Sequence, residues 1–232
     1  MSVTSPLPWL VAIVIAVAVF ALVPGLDVAV SRWFYAKGGF AFESDAPVEA
    51  IRRALIWVED FAGVSAFGLA LAARRGPLLG QGARIWLYQG LVFLLGPALM
   101  VNAVVKPIWA RPRPANTALF GGPDPFQPFW QIEGQCPRNC SFFSGEVSAA
   151  TALVLMGVML VRANRAALGR LYPAAMALAV FPLPYSFWQR IAAGRHYLSD
   201  AVFALLVTAL LATLIARAMK VTEPRGVAAT DC

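Results

Sequence analysis

The stretch Arg190-Ile-Ala-Ala-Gly-Arg-His-Tyr-Leu-Ser-Asp200 leads directly into Ala201-Val-Phe-Ala-Leu-Leu-Val-Thr-Ala-Leu-Leu-Ala-Thr-Leu-Ile-Ala216. The first part carries two arginines, an aspartate and the only histidine of the chain. The second part contains no charged residue. With the residues just before it, it approaches the length of about 20 apolar residues that a membrane-spanning helix needs. The junction therefore predicts a membrane helix with a charged cluster at its mouth.

The composition of the whole chain is typical of a membrane protein. Of its 232 residues, 59% are hydrophobic and 13% are charged, whereas a soluble domain usually has about 25% charged residues. The net charge is +7, but the sequence has no zinc-finger spacing, no Walker loop and no basic cluster interleaved with aromatics, so we expect no nucleic-acid binding. One histidine and three scattered cysteines, Cys136, Cys140 and Cys232, do not supply the four close ligands of a zinc site.

Six apolar segments approach the length of a membrane span: 8–26, 54–73, 85–105, 145–161, 171–188 and 197–216. The first is not interpreted as a cleaved signal peptide, because residues 1–8 lack the positive region that such peptides carry. We therefore expect an all-α integral membrane bundle of six transmembrane helices. It forms one domain over residues 1–232, with a short tail at 217–232.

The basic residues of the short loops predict the orientation of the bundle. Loops 74–84 and 162–170 and the tail carry arginine and lysine with carboxylates only in the tail, whereas the opposite loops mix basic and acidic residues. By the positive-inside rule, both termini lie in the cytoplasm. The long segment 106–144, rich in Gly, Pro, Phe and Trp, then forms an ordered cap on the outer face between helices three and four.

Two of the cysteines, Cys136 and Cys140, lie four residues apart in this cap. In an oxidising compartment they would form a short disulfide. Two free thiols are the alternative, because spacing alone does not establish pairing.

Three clusters lie at the outer ends of spans three to six: Lys106-Pro-Ile-Trp-Ala-Arg-Pro-Arg-Pro114, Ser141-Phe-Phe-Ser-Gly-Glu-Val147 and the stretch Arg190–Asp200 quoted above. Taken singly, each has a structural explanation. Basic side chains at helix ends extend to the lipid headgroups, a Ser-Gly pair caps a helix, and a lone histidine is usually structural. Taken together, four side chains would repel one another on one face unless an anion lay between them: Lys106, Arg113, Arg190 and His196.

The local geometry favours an anion site. Ser144 and Gly145 open the fourth span, where free backbone N–H groups and the positive end of the helix dipole cradle a phosphate. His196 and Asp200 are four residues apart and share one helical face. A carboxylate there can take the proton of one imidazole nitrogen and leave the other free to attack. We interpret the lone histidine as an oriented nucleophile.

The order of these residues resembles the three-part signature of the type-2 phosphatidic acid phosphatase superfamily: Lys106, six residues and Arg113-Pro114; Ser144-Gly145; then Arg190, five residues, His196, three residues and Asp200. The resemblance covers about residues 50–216. It implies a six-helix membrane bundle, no metal or other cofactor, and hydrolysis of lipid phosphates through a phosphohistidine. It also implies a role for each matching residue. The phosphate oxygens are held by Lys106, Arg113, Arg190, Ser144 and the Gly145 backbone, while His196 attacks phosphorus and Asp200 orients it.

Two positions depart from the family pattern. The family usually has Pro-Ser-Gly-His where this chain has Phe143-Ser144-Gly145-Glu146, and Ser where it has Gln189. The missing histidine is the family's general acid for the leaving oxygen. We expect Glu146 to take that role. The alternatives are that the enzyme is weakened or acts on a better leaving group, and that Glu146 only complements the helix dipole.

Two further carboxylates, Glu59 and Asp60, lie inside the second predicted span, where such groups are costly and often functional. Either they pair with the cations of the site, or the span begins a few residues later.

These observations predict a phosphoric monoester hydrolase of the bacterial inner membrane, with its site facing the periplasm and its lipid substrate in the outer leaflet. The cap at 119–143 favours a bulky headgroup, and therefore lipid A or another saccharide-linked lipid. Undecaprenyl diphosphate and phosphatidylglycerophosphate are the alternative substrates. The rival from another class is a transporter that uses Glu59 and Asp60, but the sequence has no pair of broken helices in corresponding halves.

Overall fold

The computed structural model describes residues 5–132, 134, 136–137 and 140–221. Its helices are α1 (Leu7–Leu22), α2 (Leu26–Arg32), α3 (Ala46–Ala72), α4 (Ala83–Phe93), α5 (Lys106–Trp109), α6 (Gly145–Ala163), α7 (Arg165–Leu168), α8 (Tyr172–Val180), α9 (Pro182–Ala192) and α10 (Leu198–Ala218). Two short antiparallel strands are β1 (Tyr35–Ala36) and β2 (Gly39–Phe40). Within these ranges, five helical segments are long and apolar enough to cross a membrane, and a sixth if α1 and α2 form one bent span. The expected all-α membrane bundle is confirmed.

The first predicted span ends earlier than expected. Helix α1 stops at Leu22, and α2 continues after Pro24 and Gly25 at an angle of 81°. Proline has no N–H for a helical hydrogen bond, which explains the break. As a result α2 places Asp27 at the mouth of the bundle.

The second span begins earlier than predicted. Asp45 caps α3, since its carboxylate accepts a hydrogen bond from the Val48 N–H at 3.0 Å, as expected of an aspartate at this position. Arg52 and Glu59 therefore both lie inside α3. Glu59 and Asp60 lie near the middle of this helix.

The third span changes its winding. Helix α4 continues into a π-helical segment, Leu94–Val105, which contains Pro97 and leads into α5. The side-chain amide of Asn102 donates to the Pro97 carbonyl at 2.8 Å. Such π-helical turns often occur at functional sites, and this one leads directly to Lys106.

The last two spans meet at the stretch Arg190–Asp200. The fifth span divides into α8 and α9 around Pro182, whose missing N–H again interrupts the helix. Helix α10 begins after Tyr197, whose N–H donates to the Asp200 carboxylate at 2.7 Å. This capping contact fixes the residues between α9 and α10, which include His196.

Three phenylalanines of the cap are core residues. Phe129, Phe142 and Phe143 are buried and pack against Phe20 of α1 and Phe203 of α10. The rings of Phe129 and Phe203 stack with their centroids 4.9 Å apart. These phenylalanines therefore do not form the open headgroup surface that the sequence analysis expected.

A disulfide joins Cys136 and Cys140, whose Cα atoms are 5.7 Å apart. The disulfide lies in the cap. Cys232 and most of the predicted tail lie outside the described residues.

Gly194 lets the stretch Arg190–Asp200 turn beneath the β1–β2 hairpin. Its φ is +64°, a conformation that side chains with a Cβ rarely adopt. A Cβ there would lie 2.3 Å from the ring of Phe40. No other residue type fits this position without moving the backbone that carries His196.

We predict that Gly194→Ala lowers the thermal unfolding temperature of the detergent-solubilised protein and reduces its activity. The substitution combines a strained backbone with overpacking, which costs about 1–3 kcal/mol. Gly68→Ala in α3 is the matched control, because a Cβ there meets no atom within 4 Å. Equal unfolding temperatures for the two variants would contradict the prediction.

Candidate active site

A cavity of about 550 Å³ lies between α3, the π-helical segment and α6. Its polar end is lined by Lys106, Arg113, Gly145, Glu146 and His196, and its apolar part by residues that include Ile56, Gly63, Val64, Phe67, Phe93 and Leu94. Val64 and Leu94 are 76% and 42% exposed on the apolar outer surface of the bundle. The cavity is therefore a cleft that opens sideways.

His196 is buried at the polar end of this cleft. Its Nδ1 lies 2.6 Å from the carbonyl oxygen of Ser141, so Nδ1 carries the proton and Nε2 keeps its lone pair. Burial lowers the pKa of His196 to about 4. The imidazole is therefore neutral near pH 7, as a nucleophile requires.

Asp200 does not bond the ring directly. Its Oδ2 is 3.7 Å from the His196 Nδ1, which is too long for a hydrogen bond. The carboxylate instead accepts from the Tyr197 N–H, Arg111 and the Ser141 hydroxyl. The Ser141 carbonyl holds the ring, and Asp200 is linked to it only by its bond to the Ser141 hydroxyl, which corrects the direct contact expected from the spacing.

Arg111 is completely buried between two carboxylates. Its Nη1 lies 2.6 Å from Asp200 Oδ1, and its Nη2 lies 2.8 Å from Asp27 Oδ2. Its Nε donates to the Gln127 carbonyl at 2.8 Å, and the Tyr197 ring lies 4.2 Å from the guanidinium carbon. Sequence reasoning missed Arg111 and Asp27. The sequence signal for Arg111 was its place two residues before Arg113, in the same motif. Asp27 had no signal beyond its charge.

Two cations of the predicted set face the cleft. Arg113 lines it, and its buried Nε has no hydrogen-bond partner among the described residues. Lys106 lines it as well, with Nζ 3.4 Å from where a Cβ on Gly145 would lie. The glycine lets the ammonium group approach the helix end. A buried donor without a partner costs free energy, so this end of the cleft fits an anion.

Ser144 caps α6 and does not line the cleft. Its hydroxyl accepts from the Val147 N–H at 3.3 Å, and its own N–H donates to the Asp200 carbonyl at 3.2 Å. The structure therefore gives Ser144 the capping contact that the sequence analysis considered as an alternative. Gly145 is the residue of this pair that faces the cleft.

Glu146 is held by two guanidinium groups. Arg52 donates to both carboxylate oxygens at 2.8 Å, and Arg190 donates to Oε1 at 2.9 Å. A proton on either oxygen would displace one of these charge-assisted bonds. The resting site therefore holds a carboxylate; the protonated form that a general acid needs is expected only beside a bound phosphate. Arg52 was missed because the second span was predicted to begin at residue 54.

Arg190 is buried and faces Glu146 instead of the cleft. Its Nε donates to the side chain of Gln189 at 2.5 Å. Gln189, which departs from the family pattern, thus fixes the direction of the guanidinium.

Glu59 lines the cleft, with a side chain that is 4% exposed, and its Oε1 has no partner in the described part of the chain. The pairing with site cations that the sequence analysis considered is not seen for it. Asp60 also lines the cleft, but it is exposed.

Comparisons with known proteins identify the family of the chain. The family model of the PAP2 superfamily matches residues 86–223. The lipid A 4'-phosphatase of Rhizobium leguminosarum is 30% identical over 216 residues, 82% of this chain and 85% of that protein. The lipid A 4'-phosphatase of Francisella tularensis subsp. novicida is 28% identical over 189 residues, 79% of this chain and 82% of that protein. No solved structure matches the chain significantly.

We predict that Arg111→Met destabilises the protein by about 3–5 kcal/mol, since it leaves two buried carboxylates without their common partner. Thermal unfolding in detergent measures the loss. Arg195→Met is the matched control, because Arg195 makes a half-exposed ion pair with Glu43 at 3.3 Å, and such pairs contribute about 0–1 kcal/mol. Similar unfolding temperatures for the two variants would contradict the role of Arg111.

Proposed function

The chain belongs to the PAP2 superfamily, and we propose that it hydrolyses the phosphate ester of a saccharide-linked membrane lipid through a phosphohistidine. The coarser activity, that of a membrane phosphatase acting on lipid phosphate, follows from the family and the relatives. One observation carries the finer proposal. The neutral imidazole of His196 faces a cleft beside two cations, Lys106 and Arg113.

The phosphate is bound at the polar end of the cleft. Lys106, the unpaired Nε of Arg113 and the backbone N–H of Gly145 take its oxygens. These fixed positive groups also stabilise the charge on the phosphoryl group as it transfers. Arg190 joins them if it turns from Glu146 to the bound anion.

In the first step, Nε2 of His196 attacks phosphorus and the bond to the lipid oxygen breaks. The leaving oxygen takes a proton from water, and the hydroxide ion that this leaves is neutralised by the proton that Glu146 releases after the second step. The positive charge on the imidazole is reduced by the proton that Nδ1 shares with the Ser141 carbonyl. The product is a phosphohistidine and a lipid alcohol.

In the second step, Glu146 acts as a base. The carboxylate takes a proton from a water molecule, whose oxygen attacks phosphorus while the P–N bond breaks and returns its electron pair to Nε2. Two hydrogen-bonded guanidiniums make Glu146 a carboxylate in the resting state, so this role fits it better than proton donation in the first step.

The substrate is proposed to be lipid A or a related saccharide-linked lipid. Curated relatives from three bacteria carry the name lipid A 4'-phosphatase. The sideways opening between α3 and the π-helical segment admits a lipid from the bilayer, whereas the cap phenylalanines, being buried, provide no headgroup surface. We place the protein in the bacterial inner membrane, with cytoplasmic termini and the cleft at the periplasmic side.

We predict that Glu146→Gln lowers turnover of a lipid phosphate by about 10²–10⁴-fold, the usual contribution of acid–base catalysis. Because only the second step needs the base, a phosphohistidine should accumulate. It is measured with ³²P-labelled lipid and an alkaline quench that preserves the P–N bond. His196→Ala should form no labelled protein.

The control for the broken ion pair is Arg52→Gln, which removes a partner of Glu146 but keeps the carboxylate. It should not accumulate the phosphohistidine. If Glu146→Gln slows turnover without labelled protein, and more so for poor leaving groups, then Glu146 acts as an acid in the first step.

Metal independence is a separate prediction. The described residues contain no group of three or more His, Cys, Asp and Glu side chains that could hold a metal ion, and the cations of the cleft can stabilise the phosphoryl group. Activity should survive EDTA, and vanadate should inhibit. Loss of activity on chelation with recovery on adding Mg²⁺ or Zn²⁺ would require a different mechanism.

A further inference from the structure

Glu59 is a buried carboxyl group that the proposed chemistry does not use. It is 4% exposed and lines the cleft, and its Oε1 has no hydrogen-bond partner among the described residues. A polar group buried without a partner costs free energy, and a carboxyl group inside a helix that is long and apolar enough to cross a membrane is often functional. The position of Glu59 in the cleft indicates what this function is.

Glu59 lies between the two ends of the cleft. It follows Arg52 by seven residues in α3, which is two helical turns or about 10 Å. Arg52 marks the polar end, because it holds Glu146. One turn beyond Glu59 the apolar part of the cleft begins, at Gly63 and Phe93; a Cβ on Gly63 would lie 3.1 Å from the Phe93 ring.

The neighbouring polar groups are engaged or point elsewhere. The side-chain amide of Asn102 donates to the Pro97 carbonyl, and Arg52 is occupied by Glu49 and Glu146. Among the described lining residues, the other polar neighbours of Glu59 are Asp60 and Glu146, whose carboxylates supply no N–H donor. A donor for Oε1 would therefore come from a molecule in the cleft.

We propose that Glu59 forms a second polar subsite, which accepts a hydrogen bond from an N–H or O–H group where an acyl chain joins the headgroup of the lipid. The inference rests on the proposed function, since it assumes that the phosphate lies at the polar end and the acyl chain in the apolar part. A carboxyl oxygen accepts such a bond whether or not the group is protonated. Lipids with amide-linked or hydroxylated acyl chains are selected over lipids with plain esters.

The experiment compares three synthetic monosaccharide lipid phosphates in detergent micelles. One carries an amide-linked acyl chain, one an ester-linked 3-hydroxyacyl chain, and one a plain ester-linked chain. The measured quantity is the ratio of kcat/KM between each donor-bearing lipid and the plain ester. We expect a ratio of about 10–100 for the natural protein, since the plain ester leaves a buried acceptor unpaired.

Glu59→Leu should bring this ratio to about one, and Glu59→Gln, which keeps an acceptor oxygen, should retain most of it. Asp60→Leu is the matched control and should keep the ratio of the natural protein. The two donor-bearing lipids distinguish an amide from a hydroxyl as the bound group.

An unchanged ratio in Glu59→Leu, or an equal loss on all three lipids, would overturn the subsite. A purely structural carboxyl gives the second result together with a lower unfolding temperature. Failure of the proposed function is different: the natural protein would hydrolyse none of the three lipids while still hydrolysing phosphatidic acid.

Discussion

The rest of the site depends on the contacts that the Asp200 carboxylate makes. It caps α10 through the Tyr197 N–H, pairs with Arg111 and accepts from Ser141. Through Arg111 it is also connected to Asp27, so α2, the segment after α5 and the start of α10 meet at one guanidinium. Taking these charges out of water is costly, and good geometry with several hydrogen bonds is needed to offset it. That requirement allows one arrangement of the three elements, and this arrangement presents His196 to the cleft.

The polar end of the cleft is organised before any substrate enters. Lys106 and Arg113 face it with their positive charges, while the Glu146 carboxylate holds Arg52 and Arg190 to one side. Oriented charges in a site shielded from water act more strongly than in solution and need little reorganisation during the reaction. Glu146 is thus both an internal counter-ion and a candidate base. The replacement of a histidine by a glutamate in this motif therefore changes the charge of the site as well as one catalytic group.

The shape of the cleft follows from irregular helices. Pro97 lies in the π-helical segment, and Gly63 allows α3 to approach the Phe93 ring. Between them the wall is apolar and opens on the exposed surface of the bundle near Val64. A lipid whose phosphate lies at His196 can keep its acyl chain in this groove and in the bilayer. The irregular helices thus shape the apolar wall of the cleft.

The sequence alone determined the membrane bundle, because the length and hydropathy of a span are local properties, and the motif spacing identified His196, Lys106 and Arg113. It did not reveal that Asp200 reaches the ring through Ser141, that Arg111 rather than Arg113 is the buried partner, or that Arg52 and Asp27 take part. These contacts join residues 59 to 172 positions apart. No local pattern encodes which of several arginines turns inward. Only the packing of α2, α3, α6 and α10 around the cleft decided it, because a buried charge is tolerated only where its partner is already in place.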